Sequence, residues 1–243
     1  MAGIKEILKA GLRRAANAAG YDITGFDRHN ARWRLAQQLK RRGITLVLDV
    51  GANEGHFAWD LRELGFAGRI VSFEPLSDAF SRLETAARGD ARWQAVNIGL
   101  GEQDEQRIIH IAANSQSSSF LPMLPSHSEA APESEYRAEE VATIRRLDRL
   151  FAEFAAPGER AFLKIDTQGF EKPVMEGARG VLDSIPLVQL ECSLVALYAG
   201  ASLIETMITY MRALDYDPVD VLPTFYHRES GHLMQADILF VRR

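Results

Sequence analysis

The sequence of 243 residues contains a single cysteine, Cys192, so the chain cannot form an internal disulfide. A chain that does without disulfides fits a reducing compartment. We therefore expect the protein to be cytoplasmic. Cys192 lies in the apolar run PLVQLECSLVALY, where a buried structural thiol is more typical than a reactive one.

The sequence also lacks an apolar run near the ~20 residues that a membrane-spanning helix needs, and its first residues lack the apolar core of a signal peptide. We therefore expect no integral membrane segment. The opening segment GIKEILKAGLRRAANAAGYDI instead has apolar residues at helical spacing, with lysines and arginines off that face. Such a helix would touch lipid or a partner subunit, or pack on its own domain. We expect the last arrangement for residues 1–43, a helical lead-in.

No large excess of one charge is present, since 28 basic and 33 acidic residues give a formal net charge of -5. With both signs spread along the chain, we expect no nucleic-acid partner. The composition, 47% hydrophobic and 25% charged, is that of an ordinary globular protein, and the length suits one large domain with a well-filled core.

From residue 44 onward, short apolar runs alternate with segments of helical period, a pattern typical of βα units around a mostly parallel sheet. We predict strands near 44–50, 69–74, 93–98, 161–166, 187–192, 216–222 and 235–242. Helices are predicted near 55–65, 76–88, 171–183 and 202–214. The segment PTFYHRESGHLM joins the last two strands, which predicts an antiparallel hairpin at the end of the sheet.

Two further strands, QRIIHIA at 106–112 and EEVATIRRL at 139–147, interrupt the alternation. They bracket residues 113–136, which are rich in serine, proline and acids and have no sustained period. The segment is therefore predicted to be a long loop. Loops of this length serve as lids or binding loops, or are disordered insertions.

The stretch LVLDVGANEG at 46–55 leads from a buried strand through a glycine turn into a helix. In open α/β sheets this crevice is where ligands bind. A phosphate-binding P-loop needs lysine and a hydroxyl residue after its second glycine, whereas His56 and Phe57 follow Gly55. The spacing also differs from G-x-G-x-x-G, and acids near the turn repel pyrophosphate. A dinucleotide or phosphate ligand is therefore disfavoured.

A carboxylate ends the second strand as well, in RIVSFEP, where Glu74 lies 25 residues beyond Asp49. From this position such folds bind the ribose hydroxyls of a nucleoside. A ribose without pyrophosphate, beside a cationic group, describes S-adenosylmethionine; the alternative is a tight turn whose acid caps a helix. The predicted donor-binding residues are Asp49, Gly51, Asn53, Gly55, Glu74, Pro75 and, by position alone, Asn97.

With these motifs in order, the sequence resembles the FkbM family of S-adenosylmethionine-dependent methyltransferases. The resemblance rests on LDVGANEGHF (48–57), VSFEP (71–75), NIGLG (97–101), SSSF (117–120), RRLDRL (145–150), LKIDTQGFEKPVMEGA (163–178), VQLECS (188–193) and QADILFVRR (235–243). It implies a class I methyltransferase (Rossmann-like) fold, with a doubly wound seven-stranded sheet that is mostly parallel and has an antiparallel C-terminal strand. It also implies O-methylation, commonly of sugars or natural products. The family often has an acid where Gln168 stands.

Methyl transfer to a hydroxyl needs alignment and a base, or a metal that acidifies the hydroxyl. Asp166, at the end of the fourth predicted strand, is the first candidate base. Glu171 follows at the start of the next helix, where it would otherwise favour the helix's positive end. With a third ligand the two acids would instead hold Mg²⁺. His227, in the last hairpin, is a further candidate base.

The acceptor-binding candidates are Ser118, Glu191 and Tyr226. Tyr226 is included because sugars pack on aromatic side chains with polar neighbours. His127 is expected at the surface, and Lys164 in an ion pair. We expect a small-molecule or oligosaccharide acceptor and a homodimer. The competing hypotheses are a non-catalytic binding module with the same fold and a dehydrogenase, which the glycine spacing disfavours.

Overall fold

The computed structural model describes residues 4–21 and 23–243. Its strands are β1 Leu46–Val50, β2 Arg69–Phe73, β3 Trp93–Val96, β4 Gly99–Leu100, β5 Glu105–Ala112, β6 Tyr136–Arg145, β7 Ala161–Ile165, β8 Leu187–Ser193, β9 Tyr216–Tyr226 and β10 Leu233–Arg242. Its helices are α1 Ile4–Ala18, α2 Ala31–Arg41, α3 His56–Glu63, α4 Ser77–Ala87, α5 Pro125–Ala130, α6 Leu147–Phe154, α7 Glu171–Gly177 and α8 Ile204–Ala213. Short 3₁₀ turns occupy Ser115–Ser117, Pro132–Ser134 and Arg179–Ser184.

The chain separates into two compact units, one ending at Gln37 and one running from Gln38 to Arg243. The first contains α1 and the start of α2, as a helical lead-in should. That residues 1–43 pack on the core stays a prediction. Within the described ranges, no helix combines the length and apolar character needed to cross a bilayer.

The larger unit is built on a seven-stranded sheet with the order β3-β2-β1-β7-β8-β10-β9. The first five strands are parallel, and β10 runs antiparallel to both β8 and β9. Every residue of β1 and of β7 is buried, because helices cover both faces of such a sheet. The strand order reverses between β1 and β7, which is where this architecture opens a ligand crevice. The predicted doubly wound sheet and terminal hairpin are confirmed.

A second, three-stranded sheet has the order β4-β6-β5. β5 and β6 are the two extra strands predicted from the sequence, and they pair antiparallel from Glu105 opposite Ile144 to Ala112 opposite Tyr136. β4 and α6 were not predicted. α6 is short, but it buries Leu147, Leu150 and Phe154 on one face, so tertiary packing stabilises it.

Residues 113–136 differ from the structureless loop that the sequence predicted. The segment contains α5 and two 3₁₀ turns, and its backbone bonds to neighbours, as from Leu124 N to Leu197 O at 2.9 Å. The segment shows no helical or strand period because many of its polar side chains are turned inward to hydrogen-bond with each other. Asn114 Nδ2, for example, donates to Ser134 Oγ at 3.0 Å. We call residues 113–136 the acceptor segment below.

Cys192 is a buried free thiol, as predicted. It belongs to the main apolar core between the seven-stranded sheet and its helices. Burial raises its pKa, so the thiol stays protonated and unreactive at neutral pH. A smaller apolar cluster joins Ala130 of the acceptor segment to Leu197, Tyr198 and Met234.

Candidate functional site

A cleft of about 340 Å³ opens at the carboxyl ends of β1, β2, β7 and β8. Its volume falls within the range of about 300–1,000 Å³ typical of small-molecule sites. Predicted residues along it are Gly51, Asn53, Glu74, Pro75, Ser118, Asp166 and Glu191. The cleft therefore brings together residues from both the donor and the acceptor predictions.

The glycine turn after β1 depends on close packing within the chain. Gly51 has φ 73°, and a Cβ there would lie 1.8 Å from the carbonyl oxygen of Asp166. Gly55 has φ 90°, and a Cβ there would lie 2.6 Å from the ring of Trp93. Both glycines are needed for packing, Gly51 against the residue after β7 and Gly55 against β3. That packing fixes the turn beside the cleft.

Glu74 is held by the turn it faces. Its Oε2 accepts a hydrogen bond from the backbone N of Asn53 at 2.8 Å, and its Oε1 accepts one from that of Leu76 at 2.9 Å. Each carboxylate oxygen has two lone pairs, so one on each stays available to a ligand. Burial raises the pKa of Glu74 to about 7, despite these two hydrogen bonds.

Asn97 supports the connection that carries Glu74, although it does not itself line the cleft. Its Nδ2 donates to the carbonyl oxygens of Glu74 and Pro75, at 2.9 and 3.1 Å. Its side chain therefore fixes the β2–α4 connection, whereas the sequence placed it against adenine.

Asp49 lies beneath the turn with no exposed surface. Its Oδ2 accepts a hydrogen bond from Ser72 Oγ at 3.1 Å, and its Oδ1 lies 3.2 Å from Lys164 Nζ. Both oxygens are therefore engaged by the chain, and Asp49 supports the turn from below. Lys164 forms the ion pair that the sequence predicted. Burial lowers its pKa, but Asp49, Asp166 and Asp237 together raise it above the ordinary value.

Asp166, Gln168 and Glu191 form a carboxylate–amide cluster at the other end of the cleft. The Nε2 of Gln168 lies 2.8 Å from Asp166 Oδ1 and 2.5 Å from Glu191 Oε2, so it donates to both. Its Oε1 accepts from the Tyr198 hydroxyl at 2.9 Å. Asp166 Oδ2 lies 3.6 Å from Lys164 Nζ, and its side chain is 35% exposed. Asp166 is thus an accessible carboxylate beside a buried cation.

The surroundings of Glu191 change its acidity. Burial, with the charges of Asp166 and Asp237, raises its pKa well above the usual range. Its Oε2 accepts from Gln235 as well as Gln168, at 2.8 Å. Its Oε1 accepts from Thr224 Oγ1 only at 3.4 Å, so Oε1 is the better place for a proton, where it makes the group a hydrogen-bond donor.

Sequence reasoning missed several polar residues of the cleft, among them Gln189 and Asp237. Gln189 Nε2 donates to Asp237 Oδ2 at 2.9 Å. Burial and the nearby Asp166 raise the pKa of Asp237 to about 7. The sequence signal for Asp237 was a carboxylate within the mostly apolar strand β10. In the structure Asp237 lies directly opposite Glu191 in the pairing of β10 with β8.

Glu171 is buried and directed at its own loop. Its Oε1 accepts from the backbone N of Thr167 and of Gly169, both at 3.0 Å, and from Thr167 Oγ1 at 3.2 Å. Burial raises its pKa to about 7. The contacts make it a cap for the β7–α7 loop. Across residues 4–21 and 23–243, no three His, Cys, Asp or Glu side chains are grouped to hold a metal ion.

His227 and Tyr226 lie in the β9–β10 hairpin and do not line the cleft. The Nδ1 of His227 accepts from the backbone N of Glu229 and of Ser230, at 3.3 and 3.2 Å, which closes the hairpin turn. Tyr226 is exposed. The structure thus leaves both residues outside the group formed by Asp166 and Glu191.

The acceptor segment contacts both ends of the cleft. Asn53 Nδ2 donates to Ser115 Oγ at 2.9 Å, and Ser119 Oγ donates to the carbonyl oxygen of Gln168 at 2.7 Å. Ser118 lines the cleft, although its Oγ accepts from the backbone N of Ala112 at 3.1 Å.

The expectation that His127 is a surface residue was wrong. It is buried, with its ring 5.0 Å from that of Tyr198 and 5.6 Å from that of Phe225. Burial lowers its pKa to about 4, so the imidazole is neutral at physiological pH. The acceptor segment is held down through this packing.

The strand order, the antiparallel terminal strand and a cleft at the point where that order reverses define the class I methyltransferase fold. Residues 49–218 match the Methyltransferase FkbM domain. The match covers more than half of the chain, and the protein belongs to this family. It is accordingly an S-adenosylmethionine-dependent methyltransferase.

Similar solved structures include a rRNA methylase from Streptococcus thermophilus, at 9% identity and a TM-score of 0.47, covering 88% of this chain and 96% of that one. TehB from Haemophilus influenzae is 8% identical with a TM-score of 0.47, covering 86% of this chain and 62% of that one. The 1,6-didemethyltoxoflavin-N1-methyltransferase from Burkholderia thailandensis is 12% identical with a TM-score of 0.43, covering 87% and 78%. No curated protein matches significantly.

Proposed function

We propose that the protein is an O-methyltransferase that methylates a hydroxyl of a saccharide or glycoside, such as a mannoside of a bacterial polysaccharide, a glycolipid or a natural-product sugar. One observation carries the proposal: a single cleft holds Glu74, with one free lone pair on each oxygen, and the cluster of Asp166, Gln168 and Glu191. The first group suits a ribose, and the second suits an acceptor with several hydroxyls.

The donor would be held by the turn at Gly51–Gly55 and by Glu74. The fit rests on the fixed carboxylate of Glu74, which can accept from both ribose hydroxyls while keeping its backbone bonds. Asn53 and Pro75 would complete this part of the site. S-adenosylmethionine supplies a methyl group already activated by its sulfonium charge. The protein's contribution is therefore alignment and proton transfer.

Asp166 is the proposed general base. It is the accessible carboxylate of the cluster, and its Oδ2 lies 3.6 Å from Lys164 Nζ. Asp166 would take the hydroxyl proton as the acceptor oxygen displaces the sulfur from the methyl carbon, and the sulfur would leave as the neutral thioether S-adenosylhomocysteine. Glu191, holding a proton on Oε1, would donate a hydrogen bond to a second oxygen of the acceptor.

A hydroxyl-rich acceptor is supported by the mixture of amides and carboxyls on this side of the cleft. Gln168, Gln189 and Asp237 stand around Asp166 with both donor and acceptor atoms. Hydroxyl groups use both kinds of partner at once. A non-sugar natural product with several hydroxyls is the alternative acceptor. The non-catalytic module is the less favoured alternative, because the base and the donor turn share one cleft.

Mg²⁺ is not part of this proposal. Glu171 was one of its two predicted ligands, and its Oε1 already accepts from three donors of the β7–α7 loop. The predicted set also needed a third ligand, and within the part of the chain that the structure describes no three His, Cys, Asp or Glu side chains are grouped to hold a metal ion.

A homodimer is proposed as well. β9 is the outer strand of the large sheet, and its exposed side chains include Val219, Val221 and Leu222. An exposed strand edge with apolar residues is a surface for pairing with a second copy. Light scattering after size exclusion measures the mass directly; a monomer at micromolar concentration would contradict this part of the proposal.

The deciding experiment is a transfer assay with S-adenosylmethionine labelled in its methyl group. Acceptors are mono- and oligosaccharides in one panel and polyhydroxylated non-sugar compounds in another. We expect label in a saccharide, in a product stable to alkali as an ether is. Asp166→Asn should lower kcat by at least about 100-fold, the effect of losing a general base, with unchanged donor affinity.

Each alternative gives a different result. Label in the second panel alone would replace the saccharide by a non-sugar acceptor. Donor binding without transfer to either panel would favour the binding module. Full activity of Asp166→Asn would overturn the assignment of the base, and loss of activity in EDTA, restored by Mg²⁺, would restore the metal hypothesis.

A further inference from the structure

The net charge of -5 hides a strong asymmetry along the chain. Residues 1–43 contain 10 lysines and arginines against 3 acids, a net charge of +7. The other 200 residues contain 18 against 30, a net charge of -12. The expectation that basic and acidic residues are spread evenly along the chain is therefore wrong. A basic segment on an acidic protein is typical of a surface that meets a polyanion.

α1 combines these charges with exposed apolar side chains. Leu8 and Leu12 are 66% and 61% exposed, and a separation of four residues puts them on one face of the helix. Lys9 and Arg13 are also exposed, and each follows one of these leucines directly in the sequence, so they lie on the adjacent face of the helix. The helix therefore presents an apolar stripe with a basic stripe directly beside it.

The residues after α1 extend the same chemistry. Tyr21 and Phe26 are 73% and 62% exposed, and Ile23 is also exposed. Arg13 Nε donates to the carbonyl oxygen of Ile23 at 3.1 Å, which ties the connecting segment to the helix. Large exposed apolar and aromatic side chains in such a group are uncommon on a soluble surface without a partner.

Two polyanions are candidates for this surface. A nucleic acid would use the cations, but the apolar side chains would stay in water. A bilayer of anionic lipids would use both, since the cations meet the headgroups while leucine and aromatic side chains enter the boundary below them. α1, with 15 residues, is also too short to span a bilayer. A helix of this kind lies in the plane of the membrane surface.

We propose that residues 4–21 and 23–26, centred on α1, bind the surface of an anionic lipid bilayer and carry the methyltransferase unit as a peripheral membrane protein. The inference is independent of the acceptor. It names a surface that the proposed catalytic function does not use.

The test is co-sedimentation of the full chain with sucrose-loaded vesicles of equal parts phosphatidylglycerol and phosphatidylcholine, and with phosphatidylcholine vesicles. We expect binding to the first, weak binding to the second, and weakening of the first in high salt. Each basic residue near an anionic surface contributes about fivefold to the affinity. The triple variant Lys9→Glu, Arg13→Glu, Arg14→Glu should therefore bind at least about 100-fold more weakly.

A matched control separates position from total charge. Arg88→Glu, Arg137→Glu, Arg212→Glu makes the same charge change at exposed residues of the larger unit, and it should bind like the wild type. Leu8→Ser with Leu12→Ser tests the apolar stripe, and we expect a loss of about tenfold for each leucine. Urea unfolding of every variant verifies that the larger unit stays folded.

Several outcomes would overturn the proposal. They are equal binding to both vesicle types, equal loss in both triple variants, and no loss with the serine variant. Absence of vesicle binding would do the same, whether α1 proved instead to join two copies in light scattering or to bind a single-stranded RNA oligonucleotide in a gel-shift assay.

Discussion

Glu74→Gln should lower the affinity for the donor more than any other conservative change in the cleft. The carboxylate offers two acceptor oxygens, each already fixed by one backbone N–H. In the glutamine variant, the side-chain amide group must point its own hydrogens at one of these N–H groups. One ribose hydroxyl then loses its charged acceptor, and the turn at Asn53 is disturbed.

The magnitude follows from the lost hydrogen bond. A hydrogen bond to a charged group contributes about 1.5–3 kcal/mol, which corresponds to a change in Kd of about 10- to 150-fold. The unsatisfied backbone N–H costs about 1–3 kcal/mol of folding free energy. Glu84→Gln, at an exposed residue of α4 that pairs with Arg88, is the control and should leave Kd unchanged within about twofold.

Isothermal titration with S-adenosylhomocysteine at pH 8.5 measures these affinities with Glu74 ionised. A second ligand, lacking the ribose 2′-hydroxyl, closes a double-mutant cycle. If Glu74 binds the ribose, removing the hydroxyl weakens binding to the wild type far more than to Glu74→Gln. Equal losses in both proteins, or a variant that is folded and binds within threefold of wild type, would refute the ribose assignment.

The remaining predictions concern pH, charge and backbone packing. Because burial raises the pKa of Glu74 and Asp237 to about 7, the folded state binds more protons than the unfolded one between pH 5 and 7. Urea titrations should show the free energy of unfolding falling over this range, by about 1.4 kcal/mol per pH unit for each excess proton, and donor affinity measured calorimetrically should rise with pH. Lys164→Met leaves Asp49 buried without its cation, so the free energy of unfolding should drop by about 3–5 kcal/mol. The double variant Lys164→Met, Asp49→Asn should recover part of that lost stability. If the losses of the two single variants simply add, the ion pair is contradicted. Gly51→Ala would place a Cβ 1.8 Å from the carbonyl oxygen of Asp166. We expect this variant to be expressed but to show no cooperative transition in thermal unfolding. A Tm equal to that of the wild type would show that the turn can move to accommodate the methyl group.

The seven-stranded sheet could be predicted because its strands are short apolar runs separated by helices of clear period. α3, α4 and α8 fall within two residues of their predicted limits. α6 was not predicted because its eight residues are too few to show a helical period of apolar residues. The helix is stabilised by packing against core residues that are distant from it in the sequence. Contacts of that kind leave no local signal.

The sequence does contain a local signal for part of the site, which becomes visible only when neighbouring strands are compared. Ser72, Asp49 and Lys164 each stand one position before the end of a buried strand. The pairing places Asp49 beside both Ser72 and Lys164, and Lys164 beside Gln189. A polar residue repeated at the same place in adjacent parallel strands therefore predicts a polar row across the sheet.

The acceptor side could not be predicted in the same way. The amide of Gln168 joins Asp166, which follows β7, to Glu191 of β8, and a glutamine in place of an expected acid does not indicate such a contact. His127 has no neighbour in sequence that indicates burial, because Tyr198 and Phe225 reach it through tertiary packing. Side-chain networks of this kind depend on the assembled fold.

The packing of Trp93 against the glycine turn gives the protein its own fluorescent reporter. Trp93 is 7% exposed, its Nε1 donates to Ser72 Oγ at 3.0 Å, and its ring adjoins Gly55. Trp59 is 54% exposed and emits at longer wavelength. Any ligand that tightens or shifts the turn changes the blue part of the spectrum, so occupancy of the cleft can be followed by stopped flow without a label. Trp33 is half-buried, so the double variant Trp33→Phe, Trp59→Phe is needed to remove the background of the other two tryptophans.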